Sequence, residues 1–200
     1  MRKTVIGKEP NMSATALAPP TKVLMTAEEY RMLPDDGRHT ELIRGRIVEM
    51  PPTSFLHGII ASCVNAIVRA YVKDRSLGWV TGNDSDVITG RSPDTVRGPD
   101  VAFFSYNRIP KESPPQGYPD VAPELVFEVR SPSDRWIAIN AKASEYLAAG
   151  VLVVCVLDPE TLTAVVYTEN DSPSKKTMDD EVTLPEVFPD FKVPVRQFFE

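Results

Sequence analysis

Four charged side chains stand where charge is costly. Glu128 lies inside Leu125-Val-Phe-Glu-Val129, Glu41 inside Thr40-Glu-Leu-Ile43, and Asp100 directly ahead of Val101-Ala-Phe-Phe104. Lys142 sits one helical turn before Tyr146. An ionised carboxylate in an apolar strand is unfavourable unless it is paired or binds a cation. Glu128 is the sharpest case. Strand alternation puts it on one face with Val126 and opposite Phe127. An ion pair to Lys142 or to an arginine would satisfy it with no chemistry at all. Asp100 follows Pro99, a position where a turn-capping aspartate is common. Glu41 would also suit an exposed strand position, and Lys142 a solvated helix face. Each residue is ambiguous alone, and their co-occurrence favours a functional site.

The elements that must position these residues are legible in the pattern. Thr26-Ala-Glu-Glu29 has capping-box spacing and predicts a short helix to Leu33, closed by the Pro34-Asp-Asp-Gly37 turn. His39 to Met50 reads as two strands around Arg44-Gly45. From Ser54 to about Arg75, Ile59, Ile60, Cys63, Val64, Ile67, Val68 and Tyr71 recur at three and four, read as one buried helical stripe. Trp79 to Thr89 reads as one or two strands. Arg97-Gly-Pro-Asp100 reads as a turn into the strand 101–104, and the proline-rich 105–123 as a loop. A strand at 124–129, a helix at 134–149 and a β-branched strand at 151–157 form one βαβ unit with parallel strands. A strand follows at 162–168, then a polar loop at 169–180, a short edge strand at 181–184 and an extended C-terminal arm. Residues 1–22 read as a flexible tail, and 23–200 as a single domain. The fold class is α/β (α+β), a central mixed sheet flanked by helices.

The chain has 200 residues, 42% apolar and 25% charged, which excludes a wholly disordered or fibrous protein. Its net charge of −6 argues against a dedicated non-specific nucleic-acid coat, though a local patch or bound cation can offset an average. Cys63 and Cys155 lie in apolar stretches and read as reduced, buried thiols with no metal-ligand spacing. No run is expected to approach the roughly 20 apolar residues of a membrane span, and no apolar run follows Arg2, Lys3 and Lys8 to make a signal peptide. The expectation is a cytoplasmic protein with no membrane partner.

The motifs Thr40-Glu-Leu-Ile-Arg-Gly45, Gly98-Pro-Asp-Val101, Glu128-Val-Arg-Ser-Pro-Ser133, Lys142 with Tyr146, Ala149-Gly-Val151 and Leu157-Asp-Pro159 stand in a specific order and spacing. Together they resemble the Uma-type restriction endonuclease family, a bacterial branch of the PD-(D/E)xK nuclease superfamily, over roughly residues 24–195. The resemblance implies a restriction-endonuclease-like fold and a metal-dependent DNA endonuclease. It implies that Asp100 is the aspartate of PD and Glu128 the acidic residue of (D/E)xK. Arg130 stands at that motif's lysine position, and Lys142, from the following helix, matches the displaced lysine. Glu41 matches the N-terminal acidic residue, and His57 a helix-start histidine. The chain departs from the family where an aspartate is common four residues before the lysine, since Ala138 stands there. It also has Leu152-Val-Val-Cys-Val156 where aromatic residues are usual.

On this resemblance the catalytic set is Glu41, Asp100, Glu128 and Lys142. Asp100, Glu128 and the main-chain carbonyl of Val129 are expected to hold Mg²⁺ or Mn²⁺. Lys142 is expected to orient the attacking water or pair with the phosphate, and Glu41 to hold a water or a second metal. His57 and Arg130 are candidates for a phosphate contact or for supporting the metal ligands. Arg130 would equally serve to neutralise a carboxylate, and Arg91 and Arg97 are candidate positive charges beside the Pro99-Asp100 turn. DNA is the expected partner and a homodimer the expected assembly. The competing reading is a nuclease-fold protein that binds nucleic acid or a protein without cutting. The aromatics Phe188, Phe191, Phe198 and Phe199 of the arm would suit either an interface or the chain's own sheet.

Overall fold

A computed structural model describes residues 24–82 and 85–200. The reading of 1–22 as a tail lies outside the described residues. The fold has a six-stranded mixed sheet at its centre. In chain order the strands are β1 (Thr40–Ile43), β2 (Arg46–Glu49), β3 (Gly78–Gly82), β4 (Val87–Gly90), β5 (Thr95–Arg97), β6 (Val101–Ser105), β7 (Leu125–Val129), β8 (Val153–Asp158), β9 (Thr163–Thr168), β10 (Ser174–Lys176), β11 (Glu181–Leu184) and β12 (Phe188–Pro194). The helices are α1 (Ala27–Arg31), α2 (Phe55–Arg75) and α3 (Trp136–Ala148). The central sheet runs β10-β9-β8-β7-β6-β3, and a smaller one runs β2-β1-β5-β4. Among the described residues only β7 and β8 pair in parallel, as the βαβ unit requires; α3 is their crossover.

Local chemistry sets the ends of these elements. The Thr26 side chain accepts from the Glu29 amide while the Glu29 carboxylate accepts from the Thr26 amide, the reciprocal cap that starts α1. Arg44 and Gly45 both have positive φ, +49° and +72°, which a two-residue hairpin turn between β1 and β2 needs. A Cβ at Gly45 would also stand 2.6 Å from that of Leu24. The Ser54 hydroxyl accepts from the His57 amide and caps α2. The length and apolar content of α2 would also let it cross a membrane. In this fold its stripe of Ile60, Val64 and Val68 packs on the central sheet.

The sheet has two differently covered faces. Phe103, Leu125, Phe127 and Cys155 point to the side covered by α2 and the C-terminal hairpin β11–β12. Ala102, Phe104, Val126, Val154 and Val156 point to the side carrying α3, with Ala143 and Tyr146 against them. The small sheet lies on this second side. Its outer face packs Leu42 and Val96 on Ala27 of α1, with Ile88 beside them. Alternation therefore turns Glu41, Val87 and Arg97 inward, towards α3.

Three segments differ from the sequence reading. Residues 95–97, of which the sequence assigns only Arg97, to the start of a turn, form β5, because Val96 completes the small core under α1. The polar stretch 169–180 contributes an edge strand, β10. The C-terminal arm is not free: it turns back as β12 and a short 3-10 helix (Val195–Phe198). Phe188, Phe191 and Phe198 are buried in the chain's own core, and the Phe188 ring lies 4.9 Å from that of Tyr71 and 4.7 Å from that of Phe103. Phe188→Ala should cost about 3–5 kcal/mol by removing a fully buried ring. Chemical denaturation monitored by circular dichroism checks this. A loss near zero would mean the hairpin does not carry the core.

Candidate active site

The βαβ unit brings the site together where β6 and β7 lie side by side. Glu128 points to the α3 side of β7, and Asp100 stands just ahead of β6. Lys142 and Tyr146 are one helical turn apart, so both look down from α3 onto Glu128. Lys142 Nζ is 2.9 Å from Glu128 Oε1, and the Tyr146 hydroxyl donates to the same oxygen at 2.8 Å. Glu128 Oε2 has no hydrogen-bond partner among the described residues. Glu41 enters from the small sheet, only 3% exposed, with Oε1 3.5 Å from Lys142 Nζ. Thus Lys142 stands between two carboxylates.

Asp100 is held from two sides. Its Oδ1 is 2.8 Å from His57 Nε2, at the first turn of α2. Its Oδ2 accepts from the Val129 amide at 2.6 Å. Since the amide and carbonyl of a strand residue share one edge, the Val129 carbonyl also lies on the β6 side of β7. The Arg130 amide donates instead to Leu157 of β8, as alternation requires.

The electrostatics are those of a buried, over-acidic cluster. Burial pushes Glu128 from its ordinary 4.5 up to about 7; Lys142 opposes this and Asp100 adds to it. Burial lowers Lys142, but Glu128 and Glu41 outweigh it and hold the lysine above its ordinary range. The hydrogen bond to Asp100 raises His57 against the effect of burial. Burial, reinforced by Glu128, raises Tyr146 well above an ordinary phenol, so it stays a donor.

Two candidates take supporting positions. The buried His57 Nδ1 has no hydrogen-bond partner among the described residues, and its other nitrogen is committed to Asp100. The Arg130 guanidinium turns away from the site: it bonds Asp158 at 2.9 Å, pairs with Glu160 and reaches the Asp134 carbonyl. It neutralises carboxylates at the β8–β9 turn, one of the two roles its sequence position allowed.

The structure adds Glu145 and Thr89, which the pattern left unremarkable, and gives Arg97, a candidate positive charge beside the turn, its partners. Arg97 donates to Glu41 at 2.7 Å and forms a two-bond fork with Glu145, at 2.8 and 2.7 Å. Thr89 donates to Glu145 as well. Glu145 lies three residues after Lys142, and that spacing on one helix face was the available signal.

A divalent cation fits this donor set. Among the described residues no three His, Cys, Asp or Glu side chains form a ready cage. Magnesium does not need one, because it keeps several waters and commonly binds through one or two carboxylates. Four acidic side chains, Glu41, Asp100, Glu128 and Glu145, face two fixed cations, Arg97 and Lys142, and His57, whose bond to Asp100 favours its protonated form. A buried excess of negative charge next to a carboxylate that resists ionisation is the environment a cation relieves.

The central mixed sheet thus brings Asp100 and Glu128 to neighbouring strands, with a lysine from the next helix above them. The Uma2 family model, described as "putative restriction endonuclease", matches residues 27–196, and the chain belongs to that family. The chain is also similar to a solved structure from Anabaena variabilis, described as a "putative nuclease" of the DUF820 group. That likeness has a TM-score of 0.76 at 21% identity, over 88% of this chain and 97% of the other, and it speaks to the fold alone. No curated protein matches the chain.

Proposed function

We propose that this protein is a divalent-metal-dependent endonuclease that hydrolyses DNA phosphodiester bonds. The observation that carries the reading is the convergence of Glu41, Asp100, Glu128 and Lys142, delivered by separate elements, in one cluster with excess negative charge. Asp100, Glu128 and the Val129 carbonyl would hold Mg²⁺ or Mn²⁺. When bound, such an ion supplies Lewis acidity, making a water easier to deprotonate and offsetting charge on the phosphate.

The protein's own groups do the rest. Tyr146 and Lys142 fix Glu128 through one oxygen and leave the other open to a ligand. His57 and the Val129 amide fix Asp100. Lys142 keeps its ammonium charged beside two carboxylates, where it can orient the attacking water or pair with the scissile phosphate. Glu41 anchors Lys142 from the opposite side.

Calorimetric titration with Mn²⁺ tests the premise. Wild type should bind the ion, and Asp100→Ala and Glu128→Ala should each lose it while keeping their melting transitions. If wild type binds no divalent ion, or both variants bind it unchanged, the metal-dependent reading is wrong.

A further inference from the structure

We propose that Arg97 and Glu145 are a positioning pair that sets where Lys142 and Glu41 stand in the site. The inference rests on the nuclease reading only for its activity test. Its basis is how the small sheet meets the rest of the fold.

The outer face of the small sheet has its own apolar core under α1. Its inner face is different. Val87 is the apolar contact there, while Glu41, Thr89 and Arg97 present charge and polarity to α3. Leu42 pairs with Val96, so Glu41 and Arg97 are cross-strand neighbours one step along. The Arg97 side chain is 12% exposed, and its fork to Glu145 ties this sheet to α3. A second bridge, Glu41 to Lys142, runs alongside at 3.5 Å.

The consequence is geometric. Lys142 and Glu145 share one face of α3, so fixing Glu145 fixes the rotation and height of Lys142 over Glu128. Arg97 also holds Glu41 Oε2, which aims Oε1 at Lys142. One guanidinium thereby holds both Glu145, on the lysine's own helix, and Glu41, which faces the lysine from the small sheet. A lysine at 97 would keep the charge but has no planar fork to serve both partners. Neither residue needs to touch substrate: they act through Glu41 and Lys142.

The test uses the full chain with Glu145→Gln, Arg97→Lys and the double variant. Two readouts are taken: single-turnover nicking of supercoiled plasmid with Mn²⁺, and the rate at which an amine-reactive reagent labels Lys142, by mass spectrometry. Lys175 and Lys192 serve as internal controls. Each single variant should lower the maximal rate by about ten- to a hundredfold, through misplacement of about an ångström, with little change in half-saturating DNA. Lys142 should label several times faster while the control lysines do not change. The double variant should be no worse than Arg97→Lys, because both changes break one contact.

Losses that multiply, or Lys142 labelling at the wild-type rate, would overturn the proposal, as would faster labelling accompanied by loss of the variants' cooperative melting transition, which marks general unfolding. If Arg97→Lys does not fold, Glu145→Gln decides alone by the same readouts. If wild type does not nick, the nuclease reading fails, and the labelling still decides the pair on its own.

Discussion

Replacing Glu128 by glutamine is expected to lower metal-dependent cleavage by about a thousandfold or more. The exchange conserves shape and removes only the charge. Near pH 6, below the value of about 7 to which burial raises this group, wild-type Glu128 is already mostly protonated in the metal-free protein. The neutral amide should therefore leave the melting temperature there almost unmoved. Loss of activity without loss of fold separates a ligand from a structural ion pair, the alternative its sequence position left open. Cleavage within tenfold of wild type would contradict the assignment.

The second large effect is expected at Lys142. Lys142→Met keeps an unbranched stem as far as Cε and removes the cation. The positive charge beside the phosphate is lost, and so is the group that holds Glu128 down against burial and Asp100. Glu128 then moves further up and is protonated over more of the neutral range. Cleavage at neutral pH should fall by about a hundredfold or more. The residual rate should climb with pH, by up to about tenfold per unit, because the carboxylate must ionise to serve as a ligand. Its midpoint should lie above that of wild type. A rate profile from about pH 6 to about pH 9 reads this directly. An unchanged midpoint would mean that Lys142 does not control Glu128.

The same shift carries a stability consequence. The folded metal-free protein binds the Glu128 proton more tightly than the unfolded chain does, so ionising this group opposes folding. Its contribution to stability is fully present below about 4.5 and is lost as the pH rises through about 7.

The parts of the site visible in the sequence were those with a high energetic cost. Glu128 announces itself because a carboxylate among Leu125, Val126, Phe127 and Val129 demands a partner, and alternation gives its face correctly. Lys142 and Tyr146 follow from helical spacing. Glu145 is silent by the same logic: a glutamate on a helix near a lysine looks solvated, and its partner Arg97 lies 48 residues away in the chain. Arg97 itself was read into a turn, because a three-residue strand has no period long enough to detect. The C-terminal hairpin shows the same limit. Its aromatics mark an apolar surface, but only the folded sheet shows that this surface is Phe103 and Phe127.

The βαβ unit was legible because both of its signals are local. A β-branched run marks β8 as doubly buried, and the apolar side of α3 marks the face it presents. The unit's first strand β7 and its helix α3, with the start of β6, place Glu128, Lys142 and Asp100. The small sheet contributes Glu41, and its attachment depends on long-range ion pairs that leave little trace in periodicity.

The most direct test of the account is nicking of supercoiled plasmid by purified wild type with Mg²⁺ or Mn²⁺, beside a chelator control and the folded Asp100→Ala and Glu128→Ala variants. The account predicts nicking that needs the metal, stops with chelator and is absent from both variants. No nicking by wild type on duplex, single-stranded or branched DNA would contradict it and favour a nuclease-fold binding protein. Equal nicking by the variants would show the activity to be a contaminant's.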